Sequence, residues 1–274
     1  MRTLLFSAAA AALSFASVAR ADQWAAADAA YAAREANRPK IAEARAGYVT
    51  ILNAATTEGD KLRAASQLGR RAIYEGEMVL PKTATADRKQ IFSDCWQTFA
   101  EKIKPGTNGV QENPAYYYFK GVCLAYWGEA AGPLASLPHV PMLKSLIAGG
   151  LTQDKRFEGG GILRLQAGVF SNKQAVAVGL YKPDEALAAA QQAVVQGAYP
   201  GDPSGGADYY DNWRSLALTQ AEKGLKADAI GTLNEKIAEL QDLVNNDALP
   251  EGRAPEAKWN LQEMKDHLAR LSAL

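Results

Sequence analysis

Residues 113–164 read NPAYYYFKGVCLAYWGEAAGPLASLPHVPMLKSLIAGGLTQDKRFEGGGILR, and this stretch decides the fold. Asn113 is a side chain that caps helices, and Pro114 after it suits the first helical position, where the missing N–H costs nothing. Tyr116, Phe119, Cys123, Trp127 and Ala130 then recur at steps of three and four, with Tyr117, Tyr118 and Tyr126 beside them, which predicts one amphipathic helix. Gly132-Pro133, Pro138 and Pro141 bracket a short element, and Met142, Leu143, Leu146 and Ile147 open a further helix that Gly149-Gly150 is expected to stop. After Asp154-Lys155-Arg156, Phe157 and three glycines lead into Ile162, Leu163, Leu165 and Val169. The unit is helix, short break, helix.

The same unit extends in both directions. Upstream, Trp24, Ala27 and Tyr31 share one face; Ile41, Ala44, Tyr48 and Ile51 a second; and Leu62, Ala65, Leu68 and Ala72 a third, which Asp60 is expected to cap. Thr85 or Asp87 opens the helix carrying Phe92, Cys95, Phe99 and Ile103, with Trp96 beside the stripe. Downstream, Pro183 to Val194, Tyr209 to Leu216, Lys226 to Asn246 and a last run from about Pro255 to Leu271 repeat the 3.6-residue period. No segment rich in β-branched alternation competes. The expected fold is all-α, an irregular α-α superhelix of antiparallel helix pairs, tetratricopeptide-like, with a pair about every 30–45 residues.

The start of the chain, MRTLLFSAAAAALSFASVARA, has basic Arg2, an apolar run from Leu4 to Val18 and small residues at Ala19 and Ala21. That pattern predicts a signal peptide over residues 1–21, cleaved after Ala21, and hence a periplasmic or secreted protein in which 22–274 form a single helical-repeat domain. No later stretch approaches the roughly 20 apolar residues of a membrane span, and no cysteine follows the cleavage point to carry a lipid anchor. Thirty basic and thirty acidic side chains give a net charge of zero, which argues against a nucleic-acid partner. The two cysteines, Cys95 and Cys123, come level if their helices are antiparallel. They therefore make either one disulfide or two buried free thiols.

Catalytic and metal chemistry finds little material. His139 and His267 are the only histidines in the sequence, too few for a His-rich zinc site, and His267 falls on the polar side of its helix. Gly159 to Gly161 lack the Gly-Lys-Ser/Thr of a phosphate loop and read better as a bend or a close helix approach. Asp202, Asp208 and Asp211 miss calcium-loop spacing and read as a solvated turn. Glu112, Glu129 and Glu158 remain as carboxylates for a hydrolase, without a spacing rule to select them. We expect no cofactor and no metal.

The aromatics carry the binding signal. Tyr116, Tyr117 and Tyr118 point about 100° apart on a helix, so at least one must leave the core and face a groove. With Tyr126, Trp127 and Phe157 they form a candidate ligand- or partner-binding set, to which Arg164 adds either a charge for an anionic group or a structural salt bridge. If Trp127 is core, its truncation to alanine costs roughly 3–5 kcal/mol; a much smaller loss means that it lines the site.

In their order along the chain these fragments resemble the T-component family of tripartite ATP-independent periplasmic (TRAP) transporters. The fragments are Tyr126-Trp127-Gly128, the Leu-Pro turn from Leu134 to Val140, Met142-Leu143-Lys144, Asp154, Phe157-Glu158-Gly159-Gly160, Arg164, Gly168, Pro183 to Leu187 and Pro255-Glu256-Ala257. The likeness covers residues 113–272. It implies a helical envelope protein that works with a periplasmic solute-binding protein, holds a small apolar ligand in an internal channel and can form homo-oligomers. The sequence departs from the family in lacking the anchor cysteine and in carrying Phe170-Ser171-Asn172-Lys173 and an apolar insertion to Tyr181, where a tight Pro-Gly segment is usual. A general envelope scaffold for protein–protein contacts is the alternative expectation, and a carboxylate-dependent hydrolase the third.

Overall fold

In the computed structural model, the structure describes residues 21–34, 39–103, 113–196, 209–249 and 253–273. The expected signal peptide, Glu112, Asp202 and Asp208 lie outside them, apart from Ala21. Among the described residues there is no strand; the fold is all-α.

The helices are α1 (21–32), α2 (Pro39–Ala54), α3 (Glu58–Ile73), α4 (Thr85–Lys102), α5 (Pro114–Ala131), the one-turn α6 (Pro133–Ser136), α7 (Val140–Leu151), α8 (Phe157–Ser171), α9 (Pro183–Gln196), α10 (Tyr210–Glu222), α11 (Lys226–Asn245) and α12 (Ala254–Ala273). A π-helical turn, Tyr74–Val79, prolongs α3, and 3-10 turns cover Leu137–His139 and Lys173–Val178. The expected apolar insertion after Lys173 thus contains a 3-10 turn. Asn172, whose Oδ1 accepts from the Gln174 N–H, starts its 3-10 turn, and left-handed Gly179 (φ +64°) ends it.

The capping chemistry explains most boundaries. Asn113 Oδ1 accepts from the Ala115 N–H with Pro114 in the first turn, as expected. The α3 cap is Thr57 rather than Asp60, and the Asp60 N–H is the donor to Thr57 Oγ1. Gly149-Gly150 do not stop α7, which continues to Leu151. They serve packing instead: a Cβ on Gly149 would lie 2.3 Å from the Tyr117 ring, and one on Gly150 2.5 Å from Ile162.

Sequence neighbours pack as pairs, α2 on α3, α4 on α5, α8 on α9, and α10 on α11. The α4–α5 pair is antiparallel. As the chain rises along α4 through Phe92, Cys95 and Phe99, their partners fall along α5 through Tyr126, Cys123 and Phe119. Cys95 and Cys123 form a disulfide with Cα atoms 5.9 Å apart, so the bridge reading holds. Successive pairs bury successive patches of core: one around Tyr48, a large one around Phe99, Phe119 and Leu163, and one around Leu233, Leu240 and Met264.

The packing also brings together elements distant in sequence. Arg34, just after α1, forms an ion pair at 2.8 Å with Glu256 at the start of α12, and its guanidinium lies 4.9 Å from the Tyr74 ring in the π turn. α12 also touches that turn directly. No helix of the described residues is long and apolar enough to cross a membrane.

Candidate functional site

A cavity of about 320 Å³ lies among these helices, within the size range of small-molecule sites. The π turn, α5, α7, α8, the 3-10 turn at Lys173–Val178, α10 and α12 all contribute to its wall. The buried members of that wall, among them Val122, Gly161 and Leu165, mark its floor; the exposed ones, Glu129, Pro133, Gly168, Asn172 and Gln174, mark its mouth. Next to them in sequence stand three of the exposed large apolar side chains, Leu134, Leu137 and Val176.

The three consecutive tyrosines diverge as helical geometry requires. Tyr116 is buried and its hydroxyl accepts from Lys120 Nζ at 2.9 Å. Tyr117 lies over Gly149. Tyr118 reaches the cavity across α8, resting where a Cβ on Gly161 would come within 2.5 Å of its ring. One turn and more further along α5, Tyr126 and Trp127 also line the cavity. The Tyr126 ring stacks on Phe92 at 5.0 Å, and Trp127 meets His139 edge-on at 4.9 Å and Trp96 at 6.1 Å. Phe157 is not on the wall; it packs edge-on against Tyr118 and Phe119, 5.9 Å from each.

Trp127 is only half-buried, which bears on its energetics. We expect Trp127→Ala to cost about 1–2 kcal/mol in chemical denaturation, below the 3–5 of a fully buried tryptophan, because much of the ring faces the cavity. A loss above 3 would place the ring in the core after all.

The glycine run forms a bend, not a phosphate cradle. Glu158, Gly159 and Gly160 are left-handed (φ +51°, +57° and +86°), so α8 proper begins only after them. Left-handed backbone turns carbonyls out of the helical ladder, and those carbonyls need donors. Arg164 supplies them: its Nη2 donates to Glu158 O at 2.9 Å and its Nη1 to Gly159 O at 2.6 Å. Arg164 Nη1 also donates to Asn212 Oδ1, and Asn212 Nδ2 returns a bond to Gly159 O and another to Ala193 O. The Glu158 carboxylate is taken by Arg70 on α3. Of the two readings of Arg164, the structure gives the salt bridge: Nε faces Asp211 Oδ2 at 2.8 Å.

Asp211 is accordingly no solvated turn residue. It sits between Arg164 and Arg214, accepting from Arg214 Nη2 at 2.6 Å. Burial alone would raise its carboxyl, but Arg214 and Arg164 outweigh that and hold it below the ordinary carboxylate value. At the opposite side of the wall Glu77, in the π turn, is buried against Arg88 and reached by Lys82, with Glu129 3.5 Å from Arg88. His267 is half-buried rather than on a polar face; burial and then Arg270 hold its pKa below the usual value.

Among the wall residues that sequence reasoning missed are Asp211, Arg214, Trp259, Glu77, Met78 and His139. Their signals were faint. Asp211 and Arg214 stand at helical i, i+3 spacing, a pattern that most often marks a solvated face, and nothing local distinguishes a π turn from the helix before it. The wall as a whole offers aromatic faces, apolar side chains and charged groups held in place by ion pairs. No model of a known protein family matches the sequence, and no curated protein is similar to it.

Proposed function

We propose that this chain is an exported binding protein whose cavity holds a small, largely apolar ligand, and that it acts beside a periplasmic solute-binding protein in the manner of a TRAP-transporter T-component with a tetratricopeptide-like scaffold. The observation that carries the ligand is the cavity itself, lined by Tyr118, Tyr126, Trp127, Val140, Leu143 and Val169. Rigid amphipathic rings around an apolar space are how such ligands are held. The partner rests on the order of sequence fragments that resemble the T-component family, and on the exposed Leu134, Leu137 and Val176 beside the mouth, where a protein handing over an apolar ligand would dock.

Gly168 offers a clean test. It is exposed on the cavity wall, in helical conformation, and a Cβ there would meet nothing within 4 Å. Gly168→Phe is expected to fill the space while leaving stability within about 1 kcal/mol, as for a surface change. After incubation with envelope lipid extract, native mass spectrometry should show a bound small molecule on the wild-type protein and none on Gly168→Phe. A bound mass retained by the variant, or none on either protein, refutes the ligand reading. Co-precipitation of a solute-binding protein from the same envelope fraction tests the partner separately.

A further inference from the structure

The ionic groups of the wall do not cancel. Glu77 and Glu129 are matched by Arg88 and Lys82. Asp211 alone faces two guanidinium groups, Arg164 and Arg214, which leaves one positive charge in excess at the α10 side. Glu263 on α12 is near enough to favour the charged form of Arg214 but makes no ion pair with it among the described residues.

The two arginines differ in what they have left to give. Arg164 spends four of its five N–H donors on Asp211, Asn212 and the two carbonyls of the left-handed bend. Arg214 spends Nε on Asp211 and Asn260 and one Nη2 hydrogen on Asp211. Its two Nη1 hydrogens and the second of Nη2 find no acceptor among the described residues. The guanidinium carbon lies over the Trp259 ring, 4.5 Å from its centre. Tyr126, on the same cavity wall, has a hydroxyl with no protein hydrogen bond among the described residues.

Resting on the reading of the cavity as a ligand site, we propose that its ligand is an amphipathic monoanion, whose carboxylate is bound by Arg214 and whose hydrocarbon chain occupies the apolar wall of Val122, Leu143, Leu165 and Val169. A free end-on pair of N–H groups matches the two oxygens of a carboxylate, and charge-assisted bonds of that kind are about twice as strong as neutral ones. The excess to be neutralised is a single charge, which suits a carboxylate better than a doubly ionised phosphate monoester. Tyr126 supplies an additional hydroxyl donor on the wall.

The experiment is a calorimetric titration of the whole mature protein with two probes of equal chain length, dodecanoate and dodecanol. We expect dodecanoate to bind at least tenfold tighter than dodecanol, Arg214→Gln to remove that preference while changing dodecanol affinity less than threefold, and Gly168→Phe to abolish both. A preference below tenfold in the wild-type protein, or one that survives in Arg214→Gln, overturns the anion proposal and leaves the cavity reading intact. Failure of both probes to bind, or unchanged binding to Gly168→Phe, defeats the cavity reading and this inference with it. Dodecanol binding to Arg214→Gln serves as its folding control, and the head-group comparison in the wild-type protein needs no variant.

Discussion

Arg164→Leu will lower the unfolding free energy by about 3–5 kcal/mol, the usual cost of removing one partner from a buried ionic network. The carbonyls of Glu158 and Gly159 lose their guanidinium donors, Asn212 Oδ1 loses its bond, and Asp211 keeps only Arg214. Arg164→Lys retains the charge but cannot reach all four acceptors from one ammonium, and we expect about 2–3 kcal/mol from the groups it leaves unsatisfied. Urea denaturation at neutral pH measures both. Because Asn212 shares Gly159 O with Arg164, the double variant Arg164→Leu with Asn212→Ala should be less destabilised than the sum of the singles. The deficit also has a pH signature. The Asp211 carboxyl is depressed in the folded protein, so its contribution is full above the unfolded value of about 3.9 and is lost as pH falls through the lower folded value. The gap between wild type and Arg164→Leu should therefore narrow under strongly acid conditions by the share that Asp211 contributes. A neutral-pH loss below 1 kcal/mol for Arg164→Leu would mean that the bend does not depend on this side chain.

Loss of the disulfide is the second large effect. Cys95 and Cys123 are 28 residues apart in sequence, and freeing a loop of that size gives the unfolded chain about 3–4 kcal/mol of additional entropic stability. Cys95→Ala combined with Cys123→Ala is expected to show that loss, and reduced wild-type protein should unfold within about 1 kcal/mol of it. Both sulfurs belong to the largest core cluster, so the alanine pair also leaves a small void whose cost adds to the entropic one. A loss below 1 kcal/mol would show that the denatured chain already holds α4 and α5 together.

The helices were legible because each carries its own period and its own punctuation. Asn113-Pro114 announces α5 within two residues, and the antiparallel level of the two cysteines needed only helix rise and turn length. Long-range demands were not legible. Gly149-Gly150 read as a stop signal because breaker rules are local, whereas the reason for Gly149 is a tyrosine on another helix, 32 positions upstream. The three tyrosines announced that one must leave the core, yet only the neighbours at Gly149 and Gly161 decide that it is Tyr118. Arg164 remained ambiguous for the same reason: a guanidinium serves a ligand or a carbonyl equally well until the left-handed turn beneath it is known. Arg214 went unnoticed because its significance lies in donors left over, a quantity no pattern records.

One contact changes how the molecule should come apart. In an open array of helix pairs each unit senses only its neighbours, stability is a sum of local increments, and the ends melt first. Here the segment after α1 is tied to the start of α12 by Arg34 and Glu256, and both meet the π turn between them. Releasing α12 therefore strips α1 of its ion pair and the cavity of Trp259 in the same event. Among the described residues neither α1 nor α12 is then a unit that frays independently, and their amide hydrogens should exchange together, through one shared opening, rather than as two loose ends.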